Sequence, residues 1–184
     1  HQGEMKLKIL AVYPGTFDPI HYGHMDIARR AASLFDELLI AVFDKPLKSL
    51  LFSPEERIAL VEESVKGMGL TNVRVTGYSG LTVEFCQQVG AKVVVRGLRV
   101  FSDFEFEFRM ALANHRLAPG IETVPLITNE EHTFLSGTTV REIASLGGDV
   151  SSMVPPRVEA ALKRRFAELG EDGGKVVPLT SLRD

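Results

Sequence analysis

Five short apolar runs, each followed by a turn and then by a stretch with helical spacing, restrict the fold of this chain more than any other feature. They are KLKILAVY (6–13), ELLIAVF (37–43), NVRVTG (72–77), AKVVVRG (91–97) and ETVPLIT (122–128). The β-branched, nearly continuous apolar runs read as strands buried on both faces, as a parallel sheet requires. NVRVTG alternates as a strand does, and the proline of ETVPLIT suggests an edge position. Between the runs, Met25, Ile27, Ala28, Ala31, Ala32 and Leu34 recur at helical spacing. Ser53, Pro54 and Glu56 make an N-cap, a first-turn proline and a capping box. LTVEFCQQVG reads as a helix closed by Gly90, and SDFEFEFRMALANHRL repeats the box at Ser102 and Glu105. Helices are also predicted over 137–147 and 155–169, the second opened by Pro155 and Pro156. Strands alternating with helices predict an α/β fold: a parallel sheet of about five strands with helices on both faces and C-terminal helices. The expected strand order is 3-2-1-4-5, with right-handed crossovers.

In such a sheet the ligand site lies at the strand C-termini where the order reverses. Two strand ends here are chemically loaded: PGTFDPIHYGH (14–24) after the first run and RGLR (96–99) at the end of the fourth. His21 and His24 admit three readings. Zinc needs three or four protein ligands, and no Cys/His cluster supplies the rest. Local packing is common for a histidine near a helix start. The surroundings favour the third reading, an anion: Gly15 and Gly23 let backbone approach a ligand, Thr16 offers a hydroxyl, and Gly23–His24 falls in a first helical turn with free N–H groups. Two arginines around Gly97 at a strand end also suit an anion, although they could simply solvate a loop. Lys48 alone would read as a solvated lysine, Glu107 as helix-face charge, Asp18 as a loop-organising residue. Phe101, Phe104, Phe106 and Phe108 read as core and interface packing.

The 184 residues, 45 % apolar and 24 % charged, suit one soluble domain over residues 5–169. Residues 1–4 read as an expression remnant, and 170–184, Gly-rich and polar, as a tail that is mobile or partner-dependent. A formal charge of −3 argues against a nucleic-acid partner, but not against a small polyanion held by a few focused cations. No apolar run approaches the ~20 residues of a membrane span, so no membrane association is expected. With Cys86 as the single cysteine, no internal disulfide can form, which suits the cytoplasm.

YPGTFDPIHYGH resembles the (H/T)xGH signature of the nucleotidylyltransferase superfamily, with His21 and His24 at its two diagnostic places. The longer string, RGLRVFSDFEFEFRMALAN and FLSGTTVRE (134–142), in that order, resemble more narrowly the bacterial phosphopantetheine adenylyltransferase family. The likeness runs from about residue 8 to 166. It departs at His21, where that family usually has Thr, at Gly80, and at Gly137, where a hydroxyl residue is usual. The resemblance implies a Rossmann-like fold and adenylyl transfer from ATP to 4′-phosphopantetheine, giving dephospho-coenzyme A and pyrophosphate. His24 and Lys48 would be catalytic. Thr16, Lys48, Thr82 and Arg96 would bind the acceptor. ATP would be held by Thr16, Phe17, His24, Gly97, Leu98, Arg99 and Glu107, and by the segment His132, Thr133, Phe134, Leu135, Ser136, Gly137 and Thr138. Mg²⁺ is implied as cofactor, with no dedicated protein metal site, and a homohexamer as assembly. Two alternatives stand beside this reading: another small nucleotidylyltransferase, taking nicotinate mononucleotide or a sugar or alcohol phosphate, and a nucleotide-binding regulator without turnover.

Overall fold

Strands apolar on both sides need helices over both faces, and the computed structural model, which describes residues 7–44 and 49–171, shows how this is met. The strands are β1 (Leu10–Gly15), β2 (Glu37–Phe43), β3 (Val73–Tyr78), β4 (Val93–Leu98) and β5 (Glu122–Ile127), and they form one sheet in the order β3-β2-β1-β4-β5. All pairings are parallel, with Leu10 opposite Glu37, Leu38 opposite Val73, Ala11 opposite Val93 and Arg96 opposite Pro125. Pro125 therefore sits on an edge strand, where its missing N–H costs no ladder bond on the open side. Residues 172–184 of the tail, Lys48 and residues 1–4 lie outside the described residues, and positions 170–171 of the tail end the last helix.

The helices are α1 (Tyr22–Leu34), α2 (Pro54–Lys66), α3 (Thr82–Val89), α4 (Phe101–Leu117), α5 (Gly137–Ser145) and α6 (Pro156–Glu171), with a 3₁₀ turn at Glu130–His132. Alternate strand residues feed two cores. Tyr13, Ile40 and Val95 pack with Ile27, Val61, Val140 and Leu162 from α1, α2, α5 and α6. Val12, Leu39 and Val94 point the other way, against Val83 and Cys86 of α3.

Local signals explain most helix ends. Ser53 caps α2, its hydroxyl accepting the Glu56 N–H at 3.2 Å while the Glu56 carboxylate accepts the Ser53 N–H at 3.2 Å. Gly90 ends α3 at φ 76°, a left-handed conformation that glycine adopts without a Cβ penalty. Ser102, expected as the cap of a second box, is not the N-cap. α4 begins at Phe101, two residues before the start that a Ser102 cap implies, and its N-cap, Val100, makes no side-chain cap bond. Asp103 instead turns its carboxylate back to the Arg99 backbone N–H at 3.2 Å.

Candidate active site

The order reverses between β1 and β4, so the crevice at the C-terminal edge opens between Gly15 and Leu98. Two hollows meet there. The tighter, of about 60 Å³, is lined by residues that include Phe17, His21, His24, Arg99 and His132. The larger, of about 350 Å³, is lined by groups that include Thr16, Phe43, Tyr78, Thr82, Phe106 and Met110. Both include Pro14, Gly15, Arg96 and Glu107, which form their common wall. The small hollow, carrying histidines and an arginine, suits phosphate groups. The larger one, with aromatic and aliphatic walls, suits a longer and less charged molecule.

The two histidines also build the helix that carries them. His21 is the N-cap of α1, and His24 occupies the third helical position. The His24 N–H donates to His21 Nδ1 at 3.3 Å, and the His21 N–H donates to His24 Nδ1 at 3.1 Å. This is a capping box made of imidazoles, and it stacks the two rings with centroids 3.6 Å apart. Because each Nδ1 accepts a hydrogen bond, the neutral form of each ring carries its proton on Nε2. A donor at Nε2 is what an incoming phosphate oxygen requires.

The glycines of this loop serve the rings first. A Cβ on Gly23 would stand 2.9 Å from His21 Cε1, and one on Gly15 would stand 2.9 Å from Phe17 Cε2. Their small size thus admits the aromatic cluster, where the sequence suggested close approach to a ligand. Phe17, at φ 51°, is held in the left-handed region, which costs energy in a bulky residue. Its ring packs edge-on to Tyr13 at 5.5 Å and to His24 at 4.8 Å. Phe17 as a whole is 1 % exposed, so its ring serves the aromatic cluster behind the hollow.

The common wall is a charge pair. Arg96 Nε and Nη2 donate to Glu107 Oε2 and Oε1 at 2.9 and 2.8 Å, and Nη1 donates to the Pro14 carbonyl at 2.9 Å. Burial acts to lower the Arg96 pKa, but the hydrogen bonds and charge of Glu107 outweigh it, so the net shift is upward and the cation persists. Arg99 works as a strut. It donates from Nε to Asp103 at 3.1 Å and from Nη1 to the Leu135 carbonyl at 2.7 Å, tying the start of α4 to the segment before α5.

In that segment Leu135 is buried while Phe134 is exposed. His132 and Leu135 line the tighter hollow with Gly97. Leu98, Thr133, Phe134, Ser136, Gly137 and Thr138 are not among the lining residues of either hollow. Ser136 caps α5, accepting the Thr139 N–H at 3.1 Å. Thr138 Oγ1 accepts from Arg141 Nη2 at 3.3 Å. In the larger hollow, the Thr82 hydroxyl and Tyr78 phenol are 3.0 Å apart, and burial raises the phenol's pKa.

Sequence reasoning missed two buried arginines behind the cleft, Arg57 and Arg141. Arg141 donates to the Asp18 carbonyl. Asp18 does organise a loop, though over a long range: its carboxylate accepts the N–H groups of Leu51 and Phe52 at 2.8 and 3.0 Å. The only advance sign of Arg141 was its place inside FLSGTTVRE. Arg57, in the run SPEER that opens α2, gave none. Among the described residues, no group of three or more His, Cys, Asp or Glu side chains gathers to hold a metal. No described helix is long and apolar enough to cross a membrane.

A cytidylyltransferase-like family model matches residues 12–143. A phosphopantetheine adenylyltransferase from Roseiflexus sp. (strain RS-1) is 54 % identical over 157 residues, covering 85 % of this chain and 97 % of that protein. One from Chloroflexus aurantiacus is 51 % identical over 161 residues, covering 88 % and 99 %. Among solved structures, a protein from Vibrio parahaemolyticus superposes with a TM-score of 0.64 at 22 % identity, covering 85 % of this chain and 99 % of that one. A bifunctional NMN adenylyltransferase/ADP ribose pyrophosphatase from Francisella tularensis gives 0.64 at 13 %, covering 90 % and 53 %. At such identities the solved structures establish a shared fold. The sequence matches, spanning nearly the whole length of the relatives, establish more: the chain belongs to the cytidylyltransferase-like nucleotidyltransferases and, within them, to the phosphopantetheine adenylyltransferase family.

Proposed function

We propose that the chain transfers the adenylyl group of ATP to the phosphate of 4′-phosphopantetheine, forming dephospho-coenzyme A and pyrophosphate. The observation that carries this reading is the wall shared by a small hollow lined by histidines and arginines and a larger, mainly apolar one, since a transfer reaction needs two ligands meeting at one boundary. A phosphate oxygen of the acceptor bonds to the α-phosphorus while the bond from that phosphorus to the bridging oxygen of pyrophosphate breaks. The nucleophile is already anionic at neutral pH, so the site needs no general base. Catalysis rests on alignment and on charge stabilisation.

Arg96 is suited to the acceptor phosphate because it lies on the boundary, aligned by Glu107 and the Pro14 carbonyl. Thr16 and Thr82, in the larger hollow, are suited to the acceptor. His24, with its proton on Nε2, stabilises the α-phosphate as charge moves. Gly97, Arg99, His132 and Leu135, which line the tighter hollow, are suited to the nucleotide side, and the rest of the segment to Thr138 and Lys48 join them by family role alone. Mg²⁺ would neutralise part of the triphosphate charge. The acidic groups nearest the cleft, Asp103 and Glu107, are already engaged by Arg99 and Arg96, so the ion would be held mainly by phosphate and water oxygens.

The same reading extends to assembly and location. Phe104, Phe108 and Leu112 follow one another at four-residue spacing on α4 and are more than half exposed, a stripe that supports association of copies into the family's hexamer. The cytoplasm, as the site of a metabolic transferase with a single cysteine, completes the proposal. A coupled pyrophosphate-release assay with ATP and a panel of acceptors tests it. Turnover with 4′-phosphopantetheine well above that with nicotinate mononucleotide or sugar phosphates is expected. Preference for another acceptor, or ATP binding without turnover, overturns it.

A further inference from the structure

The most deeply buried charge in the described residues lies behind the cleft. Arg57 is 0 % exposed and lines neither hollow. Two electrostatic arguments stand against a cation there. It sits in the first turn of α2, the positive end of the helix dipole, and burial of a charge carries a desolvation penalty. An apolar side chain would fill the same volume without either cost. What an apolar side chain cannot supply is donors. Arg57 Nη1 donates to the Thr16 carbonyl at 2.8 Å and to the Phe43 carbonyl at 2.7 Å, and Nε donates to the Phe52 carbonyl at 3.2 Å. Thr16 and Phe52 lie outside the sheet and Phe43 is the last residue of β2, and buried acceptors at such positions need partners. Asp18 completes the brace from the other side, through the Leu51 and Phe52 N–H groups. One guanidinium thus ties the loop after β1 to the end of β2 and to the residue before the α2 cap, and Thr16 and Phe43 both face the larger hollow.

We propose that Arg57 is a positioning residue for adenylyl transfer: it fixes the backbone of Thr16 against the end of β2 and so sets where the acceptor phosphate meets the nucleotide. This rests on the function proposed above. A planar fork that reaches three carbonyls has no equivalent in the point charge of lysine. Displacement of a reacting group by about 1 Å costs on the order of 10²-fold in rate. Thr16 and Phe43 line the larger hollow and not the nucleotide hollow, which also draws its lining from α1, β4 and α4, so ATP affinity should change less than turnover.

The test compares the parent with Arg57→Met and Arg57→Lys, measuring kcat, KM for each substrate, and ATP affinity by calorimetry. In both variants kcat should fall by about 10- to 100-fold, with ATP affinity within about threefold of the parent. Arg57→Lys, which keeps the charge, should be the milder. If Arg57→Met does not fold, Arg57→Lys decides alone by the same split. A kcat within about twofold of the parent in a variant that binds ATP overturns the proposal. Loss of ATP binding in both variants overturns it as well, since Arg57 would then serve folding alone. A parent without transfer to 4′-phosphopantetheine instead refutes the functional reading.

Discussion

His24 serves both the helix and the proposed chemistry, and the two roles can be separated by substitution. Alanine removes the Nε2 donor and also the Nδ1 acceptor that caps α1. His24→Ala is therefore expected to lower turnover on the order of 10²–10³-fold and stability by about 1 kcal/mol. His24→Gln keeps a cap acceptor of the kind common at the third helical position. It should recover most of the melting temperature and little of the rate. Equal stability loss in both variants would show that the imidazole box does not hold the helix. Cys86 provides the opposite case, a reactive residue type with no role in the chemistry. It is 0 % exposed, and burial pushes its thiol from 9.0 to about 11. Between those values the unfolded chain loses the proton while the folded chain keeps it, so stability falls as pH rises from about 9 towards 11. Cys86→Ser should flatten that alkaline loss in pH-dependent melting. It should also keep near-parent turnover with sequential kinetics; a trapped adenylyl-enzyme would count against direct transfer.

At the scale of elements, legibility followed the range of the interaction. The Ser53–Glu56 box lies within four residues of sequence, and it formed as read; Ser53→Ala should cost about 1 kcal/mol in denaturant titration. Ser102 and Glu105 show the same pattern, but the helix starts earlier because Asp103 turns back to Arg99, a competition that spacing alone does not reveal. The strands, their alternation with helices and both loaded strand ends were legible from periodicity and motif, while the order 3-2-1-4-5 was an expectation that the pairing of the strands then met. Arg57 was not, because its partners lie 14 and 41 positions away as well as 5. The reason for Gly23 was also hidden, since it depends on the ring of its neighbour His21. Gly23→Ala should separate the stacked histidines and lower turnover by at least about tenfold, at modest cost in melting temperature. Gly137 opens α5, and the positive end of a helix dipole favours an anion there. Gly137→Ser should bind ATP as the parent does or slightly better. Gly137→Val should weaken ATP binding while the fold persists, and calorimetric titration of the two distinguishes this from a simple helix start.

Across the whole molecule, α4 connects the site to the surface most suited to self-association. Its inward side carries Asp103 and Glu107, which hold Arg99 and Arg96 at the cleft. Each is followed by an exposed phenylalanine, Phe104 and Phe108, whose rings stack on each other with centroids 5.8 Å apart. An interface covering that stripe would press the helix against β4 and β5 and keep Glu107 in its bidentate bond to Arg96. Without the interface, the same helix would be held by the sheet alone, with about half of each ring facing water. Assembly and catalysis should therefore weaken together. The double variant Phe104→Glu/Phe108→Glu places like charges along the stripe, and light scattering after size exclusion should give a smaller mass than the parent's. Circular dichroism should be unchanged, because neither ring contributes to the cores. Turnover should fall while calorimetric ATP affinity changes less, since Arg96 lies at the boundary with the acceptor hollow. A dissociated variant with parent turnover would show that the Arg96–Glu107 wall stands without neighbours. A variant of unchanged mass would show that this stripe holds no copies together.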